Sequence, residues 1–155
     1  MHLKNSQSFP VAIIKPDSLR EKLKVYATCS LTEHEINLFN KVLRCVDNHL
    51  LIDRIDLSTL YTLNVLFIEE EFAFSYEGNI GTFGNQFHLA TYRMSKLRDY
   101  NSDVFMSIIF VEELTHYYWK IFDETIVKYK VVEILNDMFP KLTIHMLKEI
   151  GMNGL

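Results

Sequence analysis

The stretch Asp103-Val-Phe-Met-Ser-Ile-Ile-Phe-Val-Glu-Glu-Leu-Thr-His-Tyr-Tyr-Trp-Lys-Ile-Phe-Asp123 constrains this chain more than any other. It holds neither Gly nor Pro, and its apolar side chains cover nearly the whole of a helical wheel. Such a segment predicts a helix over 103–123, buried in the middle of a domain. Its centre nevertheless carries Glu112, Glu113 and His116, which are costly to bury unless they are paired or bind a metal. At roughly 100° per residue, Glu112 and His116 fall on the same stripe as Phe105, Ile109 and Trp119. Polar groups set into an apolar stripe are the main functional clue in the sequence.

A helix of this kind needs a domain around it. A chain of 155 residues with 48% hydrophobic and 23% charged residues is long and apolar enough to supply one. A single domain over 1–155 is expected, with residues 1–9 as a loose arm. The net charge of −4 and the lack of a basic cluster argue against nucleic acid as a partner. The polar start lacks the apolar core of a signal peptide, and no apolar run approaches the roughly 18 residues of a membrane span. A cytoplasmic protein with no membrane partner is the resulting expectation. Cys29 and Cys45 lack CxxC spacing and read as reduced core residues.

Along the chain, Pro10–Ile14 is β-prone and closes on the turn Lys15-Pro16-Asp17-Ser18, after which a short helix is expected over 18–27. Ser30 or Thr32 can cap a helix over 32–51, with Glu33 or Glu35 answering from three residues on. Ile36, Phe39, Val42, Leu43, Val46 and Leu50 recur there at helical spacing. Alternating and apolar runs over 60–95 predict a β-meander of two to three strands. Gly78, Gly81 and Gly84 would make its tight turns, and Phe87–Arg93 its last strand. Lys96–Ser102 reads as a polar loop, and Asn101, Ser102 or Asp103 can cap the central helix. A helix over 124–139 stops at Pro140, and an amphipathic segment over 142–150 follows. The predicted class is α+β: a small mixed or antiparallel sheet, a buried central helix and flanking helices.

Within the central helix, Glu112-Glu113-Leu114-Thr115-His116 differs from H-E-x-x-H only by Glu in the first position. In that motif, side chains at i and i+4 grip one metal ion and the residue at i+1 acts as general base. The last third of the chain thereby resembles a zincin metallopeptidase of the gluzincin type. In that family an edge strand precedes the motif helix, and an E-x-x-x-D element on the next helix supplies a third ligand and an outer acid. The resemblance implies Glu112, His116 and Glu133 as metal ligands and Glu113 as the base in peptide-bond hydrolysis. It further implies Asp137 behind the ligands, His145 as a stabiliser of the intermediate, and Phe87–Arg93 as the strand that pairs with a peptide or protein substrate. Zinc is the implied metal; a Glu–His–Glu set also accommodates iron or manganese, and the cofactor is lost altogether if the site has decayed.

Glu112 departs from the family pattern at a ligand position, which implies weakened or lost activity. In the inactive case the same cleft would be a peptide- or partner-binding surface. Two further readings stand beside this one. Glu113-x-x-His116 also fits the Glu-x-x-His element of di-iron bundles, though the chain has no second copy of it. A non-catalytic interaction module would instead use the acidic trio Glu69–Glu71 and the exposed edge of the meander.

Overall fold

A computed structural model describes residues 8–70 and 88–149. Among these, the chain forms β1 (Leu23–Ala27), α1 (Glu33–Ile52), β2 (Leu63–Ile68), β3 (Leu89–Arg93), α2 (Met94–Asp99), α3 (Asp103–Tyr118), α4 (Glu124–Leu135) and α5 (Ile144–Glu149). The strands make one sheet in the order β1-β2-β3. Both pairings are parallel, with Val25 opposite Val65 and Phe67 opposite Tyr92. The combination of helices with one small sheet is as expected. The mixed or antiparallel meander is not: the described strands form a parallel sheet.

The cause of that error lies upstream, at residues 18–27. They were expected to be helical, yet only a 3-10 turn forms, at Asp17–Leu19, followed by β1. Once β1 is a strand, β1-α1-β2 is a crossover unit, and parallel pairing requires such a connection of a dozen or more residues. The β2–β3 connection, residues 69–88, is long enough for another. The Phe72–Tyr76 run and the turns expected at Gly78, Gly81 and Gly84 lie outside the described residues. Pro10–Ile14 forms no strand; its backbone is held from the side, Ile14 N–H donating to Asn40 Oδ1 at 2.8 Å. Phe9 is not loose, since its N–H donates to Ala27 O at 3.1 Å and its ring packs on the core.

α1 starts on the expected capping box. Glu35 N–H donates to Thr32 Oγ1, and Thr32 N–H donates back to Glu35 Oε2. Five of the six predicted apolar positions are buried, Ile36 alone being only partly so. Phe39 from α1, Phe67 from β2, Tyr92 from β3 and Phe110 from α3 meet with ring centroids 4.9–6.0 Å apart, mostly edge to face. The Tyr92 hydroxyl donates to Phe110 O at 2.9 Å, so the strand and the central helix are joined by a directed bond as well as by packing. Cys29 and Cys45 are free and buried, as expected.

The central helix is buried along most of its length, Ser107 and Thr115 included, but it ends at Tyr118 and not at Asp123. Lys120 then takes a left-handed conformation (φ 55°) that no helix continues. The first half of the segment expected to be a polar loop belongs to α2, and Ser102 caps α3 by accepting from Phe105 N–H. α4 is shorter than expected, ending at Leu135, but buries the expected face of Val127, Val131 and Ile134.

One polar clamp ties these layers together. Arg98 on α2 donates to the buried Glu35 carboxylate, to Glu69 after β2, and to Ser30 O before α1. Burial raises the Glu35 pKa, but bonds from Arg98 and from Thr32 N–H outweigh it and hold the carboxyl below its ordinary value. A carboxylate of depressed pKa stabilises the fold above its unfolded pKa and loses that contribution as pH falls through the folded one. Arg98→Met is therefore expected to cost about 2–4 kcal/mol in denaturant unfolding at pH 7, a deficit that narrows below about pH 4.

Candidate metal centre

α3 and α4 are joined by only residues 119–123, so the last turn of one helix is held against the first turn of the next. Asp123 fixes the entry angle, its Oδ1 accepting from Thr125 N–H and Ile126 N–H at 2.9 Å each. This cap puts Glu124 in the first turn of α4, facing the end of α3. Glu112, His116 and Glu124 each then present a donor atom within 4.8 Å of the other two. The i, i+4 pair of the motif is thus brought together as its spacing predicts.

His116 is oriented by the connection itself. Its Nδ1 lies 2.6 Å from Ile121 O, and a carbonyl can only accept, so Nδ1 carries the proton. Nε2 faces Glu124 Oε1 at 3.8 Å. In the neutral ring that nitrogen is a lone pair directed at a carboxylate, an arrangement that asks for a proton or a metal cation between them.

The charge balance of the site points the same way. Desolvation, then the Glu124 and Glu113 carboxylates, raise the Glu112 pKa to about 7; His116 and Lys128 pull against them. Glu113 is open toward solvent on one side and crowded by protein on the others. That desolvation raises its pKa, with His116 opposing and Glu124 adding to the effect. Glu113 and His116 both line a cavity of about 580 Å³ between the start of β3 and the end of α3. Glu112 is not among its lining residues. The two adjacent acids therefore have different surroundings: Glu112 faces Glu124, while Glu113 faces the cavity.

The remaining expected site residues lie elsewhere. Glu133 does not join Glu112 and His116; its Oε1 stands 3.6 Å from His49 Nδ1 and 2.9 Å from Lys130 Nζ. Asp137 is 3.7 Å from the other ring nitrogen of the same buried His49. Lys130 also pairs with Asp53, which accepts from Trp119 Nε1 at 2.6 Å. Glu133 and Asp137 thus serve the α1–α4 contact. Along α4, Glu133 lies nine residues past Glu124, about 13.5 Å of helix rise. His145 is exposed on α5, 3.2 Å from Glu149. Of the expected ligands, Glu112 and His116 are brought together; Glu133 is not, and Glu124 stands beside them instead. The signal for Glu124 was present in the sequence: an Asp-Glu-Thr helix start just after the motif.

Comparisons with protein families, with characterised proteins and with solved structures give no match for this chain. Among the described residues, no helix is long and apolar enough to cross a membrane.

A carboxyl of raised pKa is charged in the unfolded chain but neutral in the fold between its two pKa values. It therefore costs stability as pH rises through that window. In chelator, Glu112→Gln should match the wild type near pH 4 and exceed it by about 1–3 kcal/mol at pH 8, read by chemical denaturation.

Proposed function

We propose that this protein is a zincin-like metalloprotein in which Glu112, His116 and Glu124 hold one divalent cation beside a peptide-binding cavity. The observation that carries the reading is the orientation of His116: Nδ1–H donates to Ile121 O, which turns Nε2 toward Glu124 and Glu112. A hydrogen bond to the far ring nitrogen is the usual way in which a metal-ligating histidine is oriented. The order edge strand, motif helix, following helix agrees with the resemblance, with α2 inserted before the motif helix. A three-stranded parallel sheet is not the frame of a di-iron bundle.

The donor set of two carboxylates and one imidazole suits zinc, iron or manganese. A cation held there would act as a Lewis acid toward a carbonyl and lower the pKa of water. The chain's own residues supply the rest. Glu113, with its raised pKa and its place on the cavity wall, accepts a proton from the attacking water and returns it to the leaving amine. Leu60, Leu63 and Ala90 keep the cavity wall apolar. Ligation by Glu112 in place of an imidazole adds negative charge to the centre and makes it a weaker electrophile, so the peptidase activity we assign is low.

Metal titration of chelator-treated protein, read by calorimetry and by metal content, tests this. One ion per chain is expected, with stabilisation of about 2.7 kcal/mol at a hundredfold excess over Kd. His116→Ala and Glu124→Gln should each abolish binding, and Glu133→Ala should leave it intact. Glu113→Gln should keep the metal and lose peptide hydrolysis. No bound ion, or binding that needs Glu133 and not Glu124, would overturn the proposal.

A further inference from the structure

The connection that brings His116 and Glu124 together is gripped from outside by a third helix. Asp53 is the residue at which α1 ends, and Trp119 the one at which α3 ends. One oxygen of Asp53, Oδ2, accepts from Trp119 Nε1 at 2.6 Å and also from Lys130 Nζ in the middle of α4. The same Nζ stands 5.3 Å from the centre of the Trp119 ring, a cation over an aromatic face. Residues 119–123 therefore run between two held points: Trp119 at their start, and Lys130 about two turns into α4. Both points are tied to one carboxylate oxygen.

This junction is largely withdrawn from water. Lys130 has 11% of its side chain exposed and Asp53 26%, in residue types that are ordinarily solvated. Burial raises the Asp53 pKa, but bonds from Lys130 and Trp119 outweigh it and hold the carboxyl below its ordinary value. Across the connection the ligand side chains are spaced, not bonded: His116 Nε2 and Glu124 Oε1 are 3.8 Å apart. Glu112 adds a second carboxylate to the same corner, and like charges there push the end of α3 and the start of α4 apart. His116 lies three residues before Trp119, and Trp119 N–H closes that last turn on Thr115 O at 3.1 Å. A tie on Trp119 is therefore a tie on the turn that carries His116.

We propose that Asp53 is a positioning residue for the candidate metal centre: by holding Trp119 and Lys130 on one oxygen, it sets the separation of His116 and Glu124 before any ion arrives. Ligands already in place lose less freedom on binding, and that difference appears as affinity. Asp53 acts through its bonds to Trp119 on one side of the connection and to α4 on the other. Asp137, the acid expected behind the ligands, stands by His49 instead. For metal affinity the inference rests on the preceding reading; for the orientation of His116 it rests on the connection alone.

Two readouts on the full chain test this. In chelator at mildly alkaline pH, the ring nitrogen chemical shifts of His116 report its tautomer. The wild type should hold the Nδ1–H form, and Asp53→Ala and Trp119→Phe should each show a mixture with the Nε2–H form. Zinc titration by calorimetry should give a Kd about tenfold or more higher in both variants, the loss usual when a bond behind a ligand is removed. Asp53→Asn keeps an acceptor for Trp119 but no charge for Lys130, and should fall between. Trp119→Phe keeps the packed ring, so it reads the bond even where Asp53→Ala folds poorly. Arg98→Met lowers stability elsewhere in the fold and should change neither tautomer nor Kd. Wild-type tautomer and zinc affinity in both Asp53→Ala and Trp119→Phe, or an equal loss in Arg98→Met, would overturn the positioning role and leave the metal centre standing. No zinc on the wild type, with the tautomer still mixed in the variants, would remove the metal centre and leave Asp53 as the residue that orients His116.

Discussion

The contact between Tyr92 and Phe110 is the one on which the rest of this structure depends. Tyr92 lies on an edge strand among the described residues, and Phe110 sits in the buried half of the central helix. The hydroxyl-to-carbonyl bond between them fixes both the height and the rotation of that helix over the sheet. At about 100° per residue, rotation is decisive for the charges that follow. Glu112 and His116 turn toward α4, while Glu113, one position on, turns to the cavity. A small rotation of α3 would bring Glu112 toward solvent and take its partner relation with Glu124 apart. Phe39 and Phe67 pack against the same two rings, so the core geometry and the site geometry are set by one cluster.

The helices were legible in the sequence where their pattern was local. The Thr32–Glu35 capping box, the period of Phe39, Val42, Val46 and Leu50, and the Ser102 cap all act within a few residues, and each stands where it was expected. β1 was not legible. Leu23-Lys-Val-Tyr-Ala27 is short, and it becomes a strand by pairing with β2, some forty positions away in sequence. Because the crossover was missed, the whole sheet acquired the wrong direction. A single five-residue strand thus decides between a meander and a βαβ unit. No local propensity measures that difference.

The candidate site divides along the same line. Glu112 and His116 belong to one helix, and helical spacing alone is enough to pair them. The third partner depends on how the chain leaves that helix. An E-x-x-x-D pattern pointed to Glu133, but α3 stops at Tyr118, Lys120 takes a left-handed turn, and Asp123 restarts the chain as a helix at once. With so short a connection, only the first turn of α4 meets the last turns of α3. Glu124 occupies that turn, and Glu133 is carried away to His49 and Lys130. The residues of the Asp53 junction were harder still. Asp53, Trp119 and Lys130 come from the ends of two helices and the middle of a third, and nothing in their sequence spacing relates them.

The substitution that separates this chain from H-E-x-x-H also changes the electrostatics of the site in a definite direction. An imidazole at position 112 would be neutral and could face Glu124 without cost. A glutamate there adds a second carboxylate to a partly buried corner, and desolvation together with Glu124 keeps that carboxyl near neutrality, with a pKa of about 7. Two carboxylates and an imidazole lone pair meeting in one place are compatible only if positive charge is added. The addition is a proton, on Glu112 or between His116 Nε2 and Glu124, or a divalent cation shared by all three side chains. These two forms compete for the same lone pairs, because a metal ligand must be deprotonated. Metal affinity here should therefore rise with pH through neutrality. On the proposed reading, Glu112 would make metal occupancy a function of pH in a range where a histidine at the same position would already be largely available.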